Sequence, residues 1–158
     1  MKVAIASDHR GYAAKSRVLI QLKEQGHEVT DMGVNDSNSC DYTDVAYPTA
    51  HAVAAGDVDL GILIDGNGIG MSIAANKVKG VRAALCHDEL TAEMARTHND
   101  ANVLCLPGDV LGDELIRRIV ANYLSAAFDG SGRHNRRVPD HCRIGSFGAV
   151  RGIGQERI

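Results

Sequence analysis

The apolar positions of this chain switch period repeatedly. Residues 1–7 (MKVAIAS) form a short, nearly continuous apolar run, the pattern of a strand buried on both faces. Residues 12–25 then put Ala14, Val18, Leu19 and Leu22 on one side of a helix, and Gly26 stops it. The alternation continues with a weaker strand over 27–32, an alanine-rich helix over 44–55 ending at Gly56, and a strand over 59–64. A helix over 72–78, a strand over 81–86, a helix over 89–97 and a strand over 102–106 follow. The last predicted helix, 113–128, carries Leu115, Ile119, Val120, Tyr123 and Leu124 on one face and acids in its first turn, where they suit the helix dipole.

Five strand-then-helix units with near-continuously apolar strands predict an α/β fold, a three-layer α/β/α sandwich around a five-stranded parallel sheet of Rossmann-like type. The 158 residues suit one domain, without internal repeat or linker. From residue 129 onward the chain turns to Gly, Arg and polar residues, and nothing in the pattern imposes structure on 145–158. No apolar stretch approaches the ~20 residues of a membrane-spanning helix, so no membrane partner is expected.

Charge changes the picture at one end. The net charge of -3 argues against nucleic acid as a partner. Residues 1–128 hold 11 Lys+Arg against 17 Asp+Glu, whereas 129–158 hold 6 against 3, every basic one an arginine. Such an end reads either as a solvated tail or as a holder of a small anion such as phosphate. Cys40, Cys86, Cys105 and Cys142 have no metal-ligand spacing, so no metal site is expected. No signal peptide precedes the first strand, and reduced thiols in a cytoplasmic protein are expected.

Chemistry-capable residues cluster at two predicted strand ends, Asp8 and His9 after the first and Asp65 with Gly66, Gly68 and Gly70 after the third. In an open doubly wound sheet these two strands commonly flank the point where strand order reverses, so both ends face one crevice. A glycine-rich turn opening a helix offers unpaired N–H groups to an anion. A dinucleotide fingerprint fits in part, through Gly66, Gly68 and the acid Asp88, but Met71 stands where its third glycine belongs. A Walker loop is excluded, since no Gly-Lys-Ser/Thr follows. The remaining use is an oxyanion site, with backbone donors aimed at developing charge and Asp65 beside them as a proton-transfer base. Asp65 reads equally as the capping carboxylate of the next helix. His98, near a helix C-terminus, reads on its own as a simple cation there, and His9 as a turn residue.

Together the motifs "SDHRGY", "DY" at Asp41-Tyr42, "GNGIGMSIAANK", "THNDANVL" and "GRHNRRV" resemble, in order and approximate spacing, the ribose-5-phosphate isomerase B and galactose-6-phosphate isomerase family. The likeness covers residues 2 to about 138, so residues 1–138 are expected to form the isomerase domain. Residues 139–158 would be a C-terminal extension, disordered or packed on a neighbouring subunit. The resemblance implies a homodimer or tetramer whose active sites draw on two subunits. It also implies aldose-ketose isomerisation of a phosphorylated sugar through a cis-enediolate, most naturally ribose 5-phosphate to ribulose 5-phosphate, with no cofactor. By position, Asp8 would assist ring opening or orient hydroxyls, and His98 would open the furanose. Asn99 and Tyr42 would contact the sugar, and Gly66, Asn67, Gly68, Gly70 and Ser72 would hold the enediolate. His9, Arg133, His134 and Arg137 would hold the phosphate.

Two positions depart from the family pattern. Many members have a cysteine base where this chain has Asp65, and another branch a glutamate at the position of Met71, so Asp65 is the candidate base here. Asp109 stands where an arginine commonly helps hold phosphate, and Arg10 or Arg136 are the cations able to compensate. These departures keep two alternatives open: the same isomerisation of a tetrose or hexose phosphate, and a sugar-phosphate-binding protein without turnover. A nucleotide-binding oxidoreductase is the third.

Overall fold

The structure is a computed structural model that describes residues 1–144, with side chains described through residue 139. Five strands, β1 (Lys2–Ser7), β2 (Glu28–Asp31), β3 (Leu60–Asp65), β4 (Ala83–Leu85) and β5 (Val103–Pro107), form one sheet in the order β2-β1-β3-β5-β4. Every pairing is parallel, with Ile5 opposite Ile62 and Ile62 opposite Leu104 across its centre. Strand order reverses between β1 and β3, as the sequence pattern predicts, and their carboxyl ends lie side by side.

The period-2 alternation of the strands builds two cores. Val3, Ile5, Ile62, Ile64, Leu104 and Leu106 point to one face, where they meet α1 (Tyr12–Glu24), α4 (Glu89–Asn99) and α5 (Asp113–Ser125). Ala4, Ala6, Leu63, Val103 and Cys105 point to the other, under α2 (Thr43–Ala55) and α3 (Ile69–Ala75). The small Ala4 and Ala6 and the glycine at 61 let α2 sit close. A Cβ on Gly61 would come within 3.1 Å of Val53 and 3.2 Å of Val103.

Boundaries differ from the sequence pattern where non-local contacts decide them. α3 begins at Ile69 rather than residue 72, because Asp65 caps its first turn from the strand before it. β4 is shorter than its apolar run because it is an edge strand. The side chain of Asn76 covers part of that edge, with Nδ2 donating to the Ala83 carbonyl (2.8 Å) and Oδ1 accepting from the Ala83 N–H (2.9 Å). A sixth helix, α6 (Gly132–Ile144), forms where no apolar stripe foretells one, and the chain passes residues 138–139 inside it. Residues 145–158 lie outside the described residues.

Candidate active site

The loops after β1 and β3 are locked together by a close backbone approach. Asp8 N–H donates to the Ile64 carbonyl at 3.2 Å. A Cβ on Gly11 would overlap that same carbonyl, so the first turn of α1 reaches β3 only because residue 11 has none. Asp8 is buried, and its Oδ1 accepts from the N–H groups of Arg10 and Gly11, both at 2.9 Å. Its Oδ2 has no partner among the described residues, which leaves one carboxylate oxygen open to the crevice.

Asp65, 4% exposed, turns its carboxylate back into the glycine loop. Oδ1 accepts from the N–H of Asn67 (2.9 Å) and of Gly68, and Oδ2 from the N–H of Met71 (3.2 Å). The capping interactions are therefore present, and the amides of residues 67, 68 and 71 point at Asp65. Oδ2 retains a lone pair for a proton. Gly68, at φ +75°, supplies the left-handed turn that aims these donors inward. Asn67 Oδ1 accepts from Ile69 N–H (2.9 Å) and Ser72 Oγ donates to the Ile69 carbonyl (2.9 Å), so both side chains brace the loop. Cys105 lies wholly buried near Asp65, and its thiol is pushed up mainly by burial, with the Asp65 charge adding to it.

Two neighbours define the mouth. The Tyr42 ring lies over Gly70, whose Cβ would come within 2.8 Å of it, and is 39% exposed. His9 Nδ1 faces the Cys40 N–H at 3.4 Å, an arrangement that leaves Nε2 to carry the proton of the neutral ring. Asp88, the acid of the partial dinucleotide pattern, is the N-cap of α4: it accepts from Thr91 N–H at 2.7 Å, and the Thr91 hydroxyl completes a capping box.

The remaining candidates gather elsewhere. α4 runs antiparallel to the strands, so His98 and Asn99 at its end lie at the amino-terminal edge of the sheet, next to the start of β5. With β5 five residues long, that edge is roughly 16 Å from Asp65 at about 3.3 Å per residue. His98 stacks on His134 of α6, ring centroids 4.4 Å apart and planes at 12°. Arg133, His134 and Arg137 occupy one stripe of α6 on that side. Asp129 N–H donates to the Thr97 carbonyl (2.9 Å), and the Ser131 hydroxyl and amide hold the Asp129 carboxyl below its usual range, with the His134 and His98 imidazoles adding to the effect.

A polar network missed by the sequence pattern sets this corner. Asp100, left-handed at φ 46°, pairs with Arg96 (2.9 Å) and Arg82 (3.1 Å). The Ala101 carbonyl accepts from Arg96 Nη1 (2.8 Å) and from the buried Tyr123 hydroxyl (2.7 Å). The N-D pair before β5 was the available signal, since Asn and Asp are the residues that tolerate this backbone. Among the described residues no group of three or more His, Cys, Asp or Glu side chains is placed to hold a metal.

Buried carboxylates and a glycine loop lie at the switch point of an open α/β sheet, with imidazoles and guanidiniums at its other edge. The chain belongs to the ribose/galactose isomerase family, whose model matches residues 3–140. It is 46% identical over 137 residues to ribose-5-phosphate isomerase B of Escherichia coli, covering 87% of this chain and 91% of that protein. It is 41% identical over 133 residues to the D-erythrulose-4-phosphate isomerase of Pectobacterium atrosepticum, 84% of this chain and 88% of that one. Among solved structures, ribose-5-phosphate isomerase B of Clostridium thermocellum matches with a TM-score of 0.90 and 46% identity, over 92% of this chain and 98% of that one.

Proposed function

We propose that this protein isomerises ribose 5-phosphate and ribulose 5-phosphate through a cis-enediolate, as a homodimer or a dimer of dimers with sites shared between subunits. The observation that carries the shared site is the division of the candidates between the two ends of the sheet. Asp8, His9, Tyr42 and the Asp65–Ser72 segment stand at one end, and His98, Asn99, Arg133, His134 and Arg137 at the other. Neither set contains both a carboxylate base and a full complement of phosphate donors, and a second copy supplies the missing half.

An apolar edge supports such pairing. Ile69 and Ile73 on α3, and Leu90 and Met94 on α4, are each an i, i+4 pair and are 41–64% exposed on either side of the open edge strand β4. A cavity of about 500 Å³ opens along the same edge, lined in part by Val78, Leu85 and Met94.

In the reaction, Asp8 Oδ2 accepts a hydrogen bond from the anomeric hydroxyl and orients it, and the partner's His98 moves that hydroxyl's proton to the ring oxygen as the C1–O ring bond breaks. Asp65 Oδ2 transfers the proton between C1 and C2. The enediolate oxygen is held by loop N–H groups not already directed at Asp65, with Tyr42 packed against the sugar. His9 Nε2–H and the partner's Arg133, His134 and Arg137 hold the phosphate. Work in the cytoplasm fits the free Cys86 and Cys105. Proton NMR of ribose 5-phosphate in deuterated water tests the reaction directly. Loss of the C2 proton signal with growth of ribulose 5-phosphate is expected; neither occurring while the D-erythrose 4-phosphate signal exchanges would move the substrate to the tetrose, following the similarity to the Pectobacterium enzyme.

A further inference from the structure

The loops that follow the five strands, residues 8–11, 32–42, 66–68, 86–88 and 108–112, contain a single Lys or Arg, which is Arg10. Its Nε donates to Asp109 Oδ2 at 2.5 Å, and among the described residues its side chain has no other hydrogen-bond or ion-pair partner. The pair lies directly on the glycine loop: a Cβ on Gly66 would stand 2.7 Å from Arg10 Nε and 2.8 Å from Asp109 Oδ2. The loop after β5 is itself fixed, since Gly108 N–H donates to the Asp65 carbonyl (2.7 Å) and Asp109 N–H to the Gly66 carbonyl (3.1 Å).

We propose that Arg10 is a phosphate-holding residue of this site and that Asp109 is its positioning partner. The proposal rests on the isomerase reading above for the identity of the anion. A carboxylate on Nε leaves the end of the guanidinium, one N–H from each Nη, unengaged, and these two parallel donors can grip two oxygens of one phosphate. The carboxylate also fixes a side chain that is 60% exposed and otherwise free, which lowers the entropy lost on binding. Phosphate oxygens in contact with Nη lie about twice as far from the Asp109 oxygens, across the guanidinium, so attraction exceeds repulsion.

Titration of inorganic phosphate followed by ³¹P NMR reads this without requiring turnover. Arg10→Ala is expected to weaken phosphate about 10- to 100-fold, and Arg10→Lys, which keeps charge but not the two-pronged grip, about 5- to 10-fold. Asp109→Asn should weaken it about 3- to 10-fold, and Arg10→Ala with Asp109→Ala should match Arg10→Ala alone, because Asp109 acts through Arg10. With ribose 5-phosphate, Arg10→Ala should raise KM by the factor seen for phosphate while kcat falls less than about threefold. Unchanged phosphate affinity in Arg10→Ala, or no phosphate binding by the wild type, overturns the proposal. Tighter phosphate binding in Asp109→Asn also overturns it and makes the pair a repelling strap. Arg10-dependent phosphate binding without turnover of any sugar phosphate supports the proposal and sinks only the isomerase reading.

Discussion

Asp65 has two claims on one carboxylate. Three loop amides converge on it, so it organises the start of α3, and it is also the buried carboxylate nearest the glycine turn. The two roles are compatible if Oδ2, which holds a single amide, moves the proton. Asp65→Asn is then expected to lower kcat by about 10²- to 10⁴-fold while ³¹P NMR still detects ribose 5-phosphate binding. The new amide N–H₂ would face the Met71 N–H, so a stability loss of about 1–2 kcal/mol in urea accompanies it. Unchanged turnover would leave Asp65 with the loop alone. The cysteines make a second residue-scale contrast. Burial pushes the Cys86 thiol up to about 11 and Cys105 well above its ordinary value, whereas Cys40 is half-buried beside His9. In a Cys142→Ser background at pH 8, Ellman's reagent should label Cys40 and spare Cys86 and Cys105 until urea is added. The same shift has a sign for stability. The folded state disfavours the Cys86 thiolate, so this contribution is whole below the ordinary value of 9.0 and declines as pH rises towards 11.

At the scale of elements, α1 is attached to the sheet by more than its apolar face. Lys15 is 1% exposed on that helix, and its ammonium bonds both oxygens of Asp31 at the end of β2, at 2.6 and 2.8 Å. A buried ammonium demands such a partner, and the pair holds the otherwise exposed edge strand β2. Lys15→Met should lower unfolding free energy by about 2 kcal/mol in urea titration, less than a fully buried pair would lose, since Asp31 is one-third exposed and water takes up part of its charge. An unchanged midpoint would mean that apolar packing alone seats α1. The helical spacing of Ala14, Val18 and Leu22 announced the buried face of this helix, and all three are buried. Lys15, adjacent to that stripe, carried no such signal, because its burial depends on where β2 ends.

For the whole molecule, the separation of the two residue sets gives the most discriminating forecast. Asp65→Asn and His98→Ala protomers, each inactive alone, should regain activity when mixed and allowed to exchange subunits. A random mixture places both intact halves in one site of each heterodimer, so about a quarter of wild-type activity is expected. No recovery, with exchange verified by mass, would require a site within one chain. Periodicity made the five strands, five of the six helices and the two cores legible, because alternation every 2 or 3.6 residues is a local property of the chain, whereas the β1–β3 crevice was expected only from the usual strand order of doubly wound sheets. The glycine loop and its carboxylate were legible for the same reason: a turn needs particular residues at neighbouring positions. Local pattern is silent on two points that only the tertiary structure decided: the Arg10–Asp109 pair across the Gly66 loop, and the His98–His134 stack at the far edge of the sheet. Each joins segments whose meeting depends on strand order and helix direction, and strand order is settled by how the whole set of apolar faces packs.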